Sequence, residues 1–166
     1  FGNGWNNFGT FGTGTDDVGF LNALIDKISA SYSIDQKRVY STGMSNGGFM
    51  SHTLACALNN KIAAIASVTG SMFVSQYGTC VPGRVVPVMQ IHGTADNTVP
   101  YNGNSSMVAI DTLMNFWVKH NQCNPVPIID SVPDINKTDK CHAVHYVYKN
   151  GSKGSTCELY KIIDGA

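Results

Sequence analysis

Charge is scarce in this sequence. Only 13% of its 166 residues are Asp, Glu, Lys or Arg, and eleven basic side chains cancel eleven acidic ones. A neutral chain offers no electrostatic footprint to a phosphate backbone or an anionic lipid surface, which sets aside nucleic acid and membrane as partners. Also missing is any run of ~18 apolar residues, the length needed to cross a bilayer. No basic start with an apolar stretch behind it opens the chain; its first segment, FGNGWNNFGTFGTGTDD, is rich in Gly and Asn. Cys-x-x-Cys spacing is absent among Cys56, Cys80, Cys123, Cys141 and Cys157, so no zinc or dithiol redox motif is legible. No repeat and no linker divide residues 1–166, which read as one domain or part of one.

What remains is globular. Hydrophobic residues make up 43% of the chain, enough for a packed core. Five cysteines among sparse charge and many Asn, Ser, Thr and Gly residues suggest an exported protein with one or two disulfides. The pairs expected are Cys56 with Cys80, and Cys123 with Cys157 or Cys141; buried free thiols are the alternative. The odd count leaves at least one thiol unpaired within the chain.

Hydrophobic periodicity sets the order of elements. Val18, Leu21, Ile25 and Ile28 have helical spacing over 18–31, behind Asp16 and Asp17 as cap and first-turn acids. RVYST, 38–42, reads as a short strand. Phe49 to Leu58 is helical. IAAIASV, 62–68, and VVPVMQIHG, 85–93, read as strands buried on both faces. A helix is expected from about Ser106 to His120, on Met107, Ile110, Met114 and Trp117. His142–Tyr148 and Cys157–Ile163 form a hairpin. Helices alternating with strands in this way indicate an α/β class with a mainly parallel sheet.

Gly43-Met44-Ser45-Asn46-Gly47 matches Gly-x-Ser-x-Gly, with a predicted strand before it and a helix after it. The chemistry accounts for the pattern. A nucleophilic Ser must stand on a sharp strand-to-helix corner, where side chains at 43 and 47 would collide with their surroundings. Ser45 then projects at the carboxyl end of the sheet, where open α/β sheets build their sites. The backbone N–H of Asn46 sits at the helix N-terminus, suited to holding an oxyanion.

Such a Ser requires a base and an acid to orient it, in the chain order Ser, acid, His. Asp96 follows the second buried strand, in HGTAD, and is the expected acid. Asp111 falls within a predicted helix, and Asp130 and Asp134 within a solvated Pro-containing loop. Of the five histidines, His52 packs on the helix after the elbow, His92 is structural, and His120 caps a helix end. His142 and His145 face opposite sides of one strand and make no metal pair.

DDVGF, RVYSTGMSNGGFM, IAAIASVTGSM and PVMQIHGTADNTVPYNG, in that order, resemble the polyhydroxybutyrate-depolymerase/feruloyl-esterase family of secreted α/β-hydrolases. The resemblance runs from about Trp5 to Ala166. It places the family's nucleophile on Ser45 and its acid on Asp96. Two of its parts lie outside the chain: the catalytic His, expected just after Ala166, and the first strands with a loop giving a second oxyanion N–H, expected before Phe1. The resemblance thus implies a fragment cut at both ends, of very low activity alone.

The function implied is serine ester hydrolysis through an acyl-enzyme, without metal or organic cofactor. Its Met-Ser-Asn elbow resembles the feruloyl-esterase side more closely, which implies ferulate or acetate esters of plant xylan as substrates. A poly(3-hydroxybutyrate) depolymerase is the alternative within the family, and a non-catalytic binding homologue the alternative of another class. Trp5, Phe49, Tyr101 and Trp117 are candidates to line an acyl groove, each weighed against a place in the core.

Overall fold

A computed structural model describes residues 4–7 and 14–166. Asp16 opens helix α1 (Asp17–Ser31) by accepting the Gly19 N–H at 2.8 Å. After it come β1 (Tyr40–Met44), α2 (Asn46–Ala57), β2 (Ala64–Val68), the short α3 (Val74–Tyr77) and β3 (Val88–Gly93). The chain then forms α4 (Ile110–His120), β4 (Ile128–Ser131), β5 (His142–Tyr148) and β6 (Cys157–Ile163).

The six strands make one sheet in the order β1-β2-β3-β6-β5-β4. β1, β2, β3 and β6 run parallel, while β5 and β4 return antiparallel. Four strands therefore deliver their carboxyl ends to one edge. That edge carries the Ser45 corner, the Asp96 loop and residues 164–166, which follow β6. The α/β class and the mainly parallel sheet stand as expected.

Helices α2 and α4 cover one face of the sheet. Gly48 to Ala55 are all buried, so α2 is enclosed on every side rather than amphipathic. α4 contributes Ile110, Leu113, Met114, Trp117 and Val118 to the same core. Strand residues facing these helices are buried: Ile65, Val88, Cys157 and Leu159 are all at most 4% exposed. Their alternate neighbours are only half-buried, so β2 and β3 are covered on one face, not on both as their continuous apolar runs suggest. Along α1, Val18, Leu21 and Ile25 pack on the core, whereas Ile28 lies exposed.

Local side-chain bonds move several boundaries. The expected strand at Arg38 starts later because Asp35 accepts the Lys37 N–H and turns 36–38 into a 3-10 coil. The last helix begins at Ile110 because Asn104 accepts the N–H groups of Ser106 and Met107, holding that segment as a turn. β4 has every residue exposed, leaving no periodicity to read; Asp130 is in it, outside the loop expected.

One disulfide is present, Cys56–Cys80, as expected. Cys123, Cys141 and Cys157 are free thiols, which corrects the second pairing. Cys123 and Cys157 are neighbours in the core, each with a polar contact of its own. Asn121 Nδ2 donates to Cys157 Sγ at 3.2 Å, and Cys123 Sγ donates to Ser155 O at 3.8 Å. Burial, then the Cys123 neighbour, pushes the Cys157 thiol up to about 12. Cys141 precedes the opposite end of the hairpin, ~20 Å along the strands from Cys157, which removes it as a partner for this pair.

Candidate active site

Ser45 sits between the last residue of β1 and the first of α2 with φ 51° and ψ −117°, a backbone conformation that L-residues avoid. Such strain, of order 1–3 kcal/mol, persists only where the surroundings impose it. Here the Ser45 N–H donates to Val68 O at 2.9 Å across the sheet, and Ser45 O accepts the Phe49 N–H of the first helical turn. A Cβ at Gly43 would lie 2.5 Å from the Gly47 carbonyl carbon, so strand and helix approach closely enough to require glycine there. The expected crowding at Gly47 itself is absent, since a Cβ there would meet nothing within 4 Å. The second tight position is Gly48, whose Cβ would lie 2.7 Å from Ser67 Oγ and 3.0 Å from Gly70 Cα. Ser45 is half-buried, not enclosed by packing.

As the first residue of α2, Asn46 presents a backbone N–H that has no acceptor within the helix. The Asn46 side chain has a role that the motif did not signal. Its Oδ1 accepts the Trp5 N–H at 2.7 Å, and its Nδ2 donates to Trp5 O at 3.1 Å. Asn7 Nδ2 adds a bond to Asn46 O. Residues 4–7 are thus moored beside the elbow. Trp5 is 37% exposed, whereas Phe49, Tyr101 and Trp117 are at most 4% exposed and belong to the core. Of the four candidate groove aromatics, only Trp5 presents a free face, in a groove with Gly47, Thr42 and Met50.

Asp96 lies in the loop after β3, two strands from the elbow, a lateral separation of ~9.5 Å. Its Oδ1 accepts the N–H groups of Thr98 and Val99 at 2.8 and 2.9 Å. Oδ2 accepts no hydrogen bond among the described residues and stands 3.6 Å from His92 Nε2. The loop is anchored to the end of the chain: Thr94 N–H donates to Ile162 O, Ala95 N–H to Gly165 O, and Asp164 N–H to Thr94 Oγ1. The start of the segment following β6 therefore lies against the Asp96 loop. Asp111 instead accepts the Tyr101 hydroxyl at 2.6 Å in the first turn of α4.

The histidines within the chain occupy other posts. His52 and His92 are fully buried. Burial holds His52 down to about 4 and also lowers His92. His120 Nε2 donates to Arg84 O at the end of α4. His145 stacks on Tyr160 and bonds Glu158 on the hairpin, and His142 is exposed at the start of β5. Among the described residues, no group of three or more His, Cys, Asp or Glu side chains could hold a metal ion, and no helix is long and apolar enough to cross a membrane.

Residues 15–128 match the family model described as phospholipase/carboxylesterase. Feruloyl esterase B of Piromyces equi is 31% identical over 175 aligned residues, covering 99% of this chain and 28% of that protein. Feruloyl esterase C of Emericella nidulans is 31% identical over 122 residues, 74% of this chain and 42% of that protein. A bifunctional acetylxylan esterase/xylanase of Neocallimastix patriciarum is 36% identical over 88 residues, 53% of this chain and 13% of that protein. The chain thus spans less than half the length of each of these relatives. A solved thermostable esterase shares the fold with a TM-score of 0.52 at 23% identity, over 63% of this chain and 26% of that one. With more than half of its length matched by the family model, and a mostly parallel sheet flanked by helices, this chain belongs to the phospholipase/carboxylesterase family of α/β-hydrolases.

Proposed function

We propose that this chain is the core of a secreted serine carboxylic ester hydrolase, acting on ferulate or acetate esters of plant xylan. The observation that carries the reading is the Ser45 corner. A half-buried Ser on a strained backbone corner stands on the sheet edge that also holds Asp96, whose Oδ2 accepts no hydrogen bond among the described residues. The printed names of the relatives support the ester class and the plant-polymer lean. The Cys56–Cys80 disulfide supports export.

In this reading Ser45 Oγ attacks the ester carbonyl while an imidazole takes its proton. The Asn46 N–H, at a helix N-terminus, and a second N–H from outside residues 1–166 stabilise the oxyanion. The alcohol leaves with that proton, and water then releases the acid from Ser45 by the same route. The imidazole comes from the segment following β6, which starts against the Asp96 loop. Two hydrogen bonds of ~2.8 Å with a ring between them span most of the distance between elbow and acid. Asp96 Oδ2 accepts the far ring N–H and fixes the tautomer.

The test uses the full-length protein. A fluorophosphonate probe labels Ser45, and Ser45→Ala abolishes both labelling and hydrolysis of methyl ferulate and acetylated xylan, by ~10⁴-fold or more, with the fold intact. Absence of labelling in the folded full-length protein defeats the reading. Faster turnover of short poly(3-hydroxybutyrate) than of both xylan-type esters replaces the substrate class and keeps the mechanism.

A further inference from the structure

Acyl transfer at Ser45 makes no use of the two fully buried histidines, yet these are linked in a single line of hydrogen bonds that ends at the Asp96 loop. Trp117 Nε1 donates to His52 Nδ1 at 3.2 Å. His52 Nε2 donates to Gln90 Oε1 at 3.1 Å. Gln90 Nε2 donates to Gly70 O at 2.8 Å and to His92 Nδ1 at 3.1 Å. His92 Nε2 donates to Val99 O at 2.8 Å. Val99 in turn gives its N–H to Asp96 Oδ1.

Donor and acceptor chemistry fixes the direction of every link. An indole N–H can only donate, so His52 Nδ1 is bare and its proton is on Nε2. The Gly70 carbonyl can only accept, so the Gln90 nitrogen faces Gly70 and His92, and its oxygen faces His52. His92 Nδ1 is therefore bare as well, and its Nε2 proton points at the Val99 carbonyl. Both rings are neutral, in the same tautomer, with no polar atom left over. A buried network satisfied in this way is stiff, because breaking one link strands the next group without water. Three separate elements, α4, α2 and β3, thereby converge on one loop residue.

We propose that His92 is a positioning residue of the esterase site: by gripping the Val99 carbonyl it holds the Asp96 turn so that Oδ2 faces the incoming imidazole. Gln90, His52 and Trp117 keep the His92 ring in the one tautomer that can do so. The inference rests on Asp96 being the acid of the triad.

The experiment separates the two claims in the full-length protein. His92→Gln places a nitrogen donor where Nε2 stands, whereas His92→Asn is too short to reach Val99. Expected for His92→Asn is a ~10²-fold fall in kcat on methyl ferulate with KM within twofold, the size of loss that a misplaced catalytic group causes. His92→Gln recovers kcat to within tenfold of the parent. In an Asp96→Asn background, His92→Asn adds no further loss, since it acts only through that carboxylate. A multiplied loss in the double variant, or an unchanged kcat in His92→Asn, overturns the positioning role while leaving the acid in place. Parental kcat in Asp96→Asn alone overturns the acid and this inference with it. The unmodified protein gives a check free of folding effects: imidazole nitrogen NMR shows a protonated Nε2 and a bare Nδ1 at both His52 and His92. A protonated Nδ1 at His92 overturns the proposal.

Discussion

The side-chain amide of Asn46 pairs with the backbone of Trp5 in both directions, taking its N–H and giving to its carbonyl. The variable residue of the Gly-x-Ser-x-Gly motif thus has two separate jobs. Its backbone N–H opens helix α2 beside Ser45, and its side chain moors the exposed Trp5 next to the elbow.

Removing that mooring should act on recognition rather than on chemistry. Asn46→Ala leaves both Trp5 backbone groups to water at a cost of ~1 kcal/mol. The expected outcome is a rise in KM for methyl ferulate of about fivefold, with kcat/KM for p-nitrophenyl acetate within twofold. Steady-state kinetics on the two esters decide it; an equal fall on both would assign the side chain to the acylation step instead.

The two outer glycines of the motif differ in their surroundings, and substitution should reveal it. Gly43→Ala forces a Cβ to within 2.5 Å of the Gly47 backbone. Overpacking of this kind costs ~1–3 kcal/mol and displaces Ser45 from its corner. Gly47→Ala meets open space in the first turn of α2 and stabilises by up to ~1 kcal/mol through helix propensity. Urea midpoints of the two variants test the contrast; equal destabilisation would mean that the elbow is crowded on both sides.

Acid should weaken the fold through its buried imidazoles. His52 is held at about 4 in the native state, against 6.5 when unfolded. Above pH 6.5 the ring is neutral in both states and contributes nothing to the pH dependence. Between 6.5 and 4 only the unfolded chain takes the proton, so stability falls as pH falls. The slope from His52 alone is ~1.4 kcal/mol per pH unit, reaching ~3 kcal/mol in total. Urea unfolding at pH 7, 5.5 and 4.5 should show the slope in the parent and a shallower one in His52→Gln. Parallel slopes would show that His52 does not carry the dependence.

Much of this arrangement was legible in the residues. The elbow pattern, the Asp96 loop and the hairpin of β5 and β6 each follow from short-range signals: a motif with flanking periodicity, a polar segment after an apolar run, two alternating segments around a turn. The rest depends on contacts between distant parts of the chain. That Gly48 rather than Gly47 is the second tight position depends on Gly70 packing against it. One-sided burial of β2 and β3 depends on which sheet face the helices cover, and a continuous apolar run carries no record of that. The Asn46 mooring crosses 41 positions and the Trp117–His52 bond crosses 65, and neither leaves a local pattern.

The place of β6 between β3 and β5 sets an order of events during synthesis. β1, α2 and β2 are consecutive, so the corner at Ser45 can set as soon as these have left the ribosome. The outer neighbour of β3 is β6, Cys157–Ile163, and three of the bonds around Thr94 and Ala95 come from residues 162–165. The Ser45 corner thus rests on more local contacts, which form quickly, and the Asp96 turn on long-range ones, which form slowly. Until β6 arrives, a nascent chain holds a finished Ser45 corner beside an unfinished Asp96 turn.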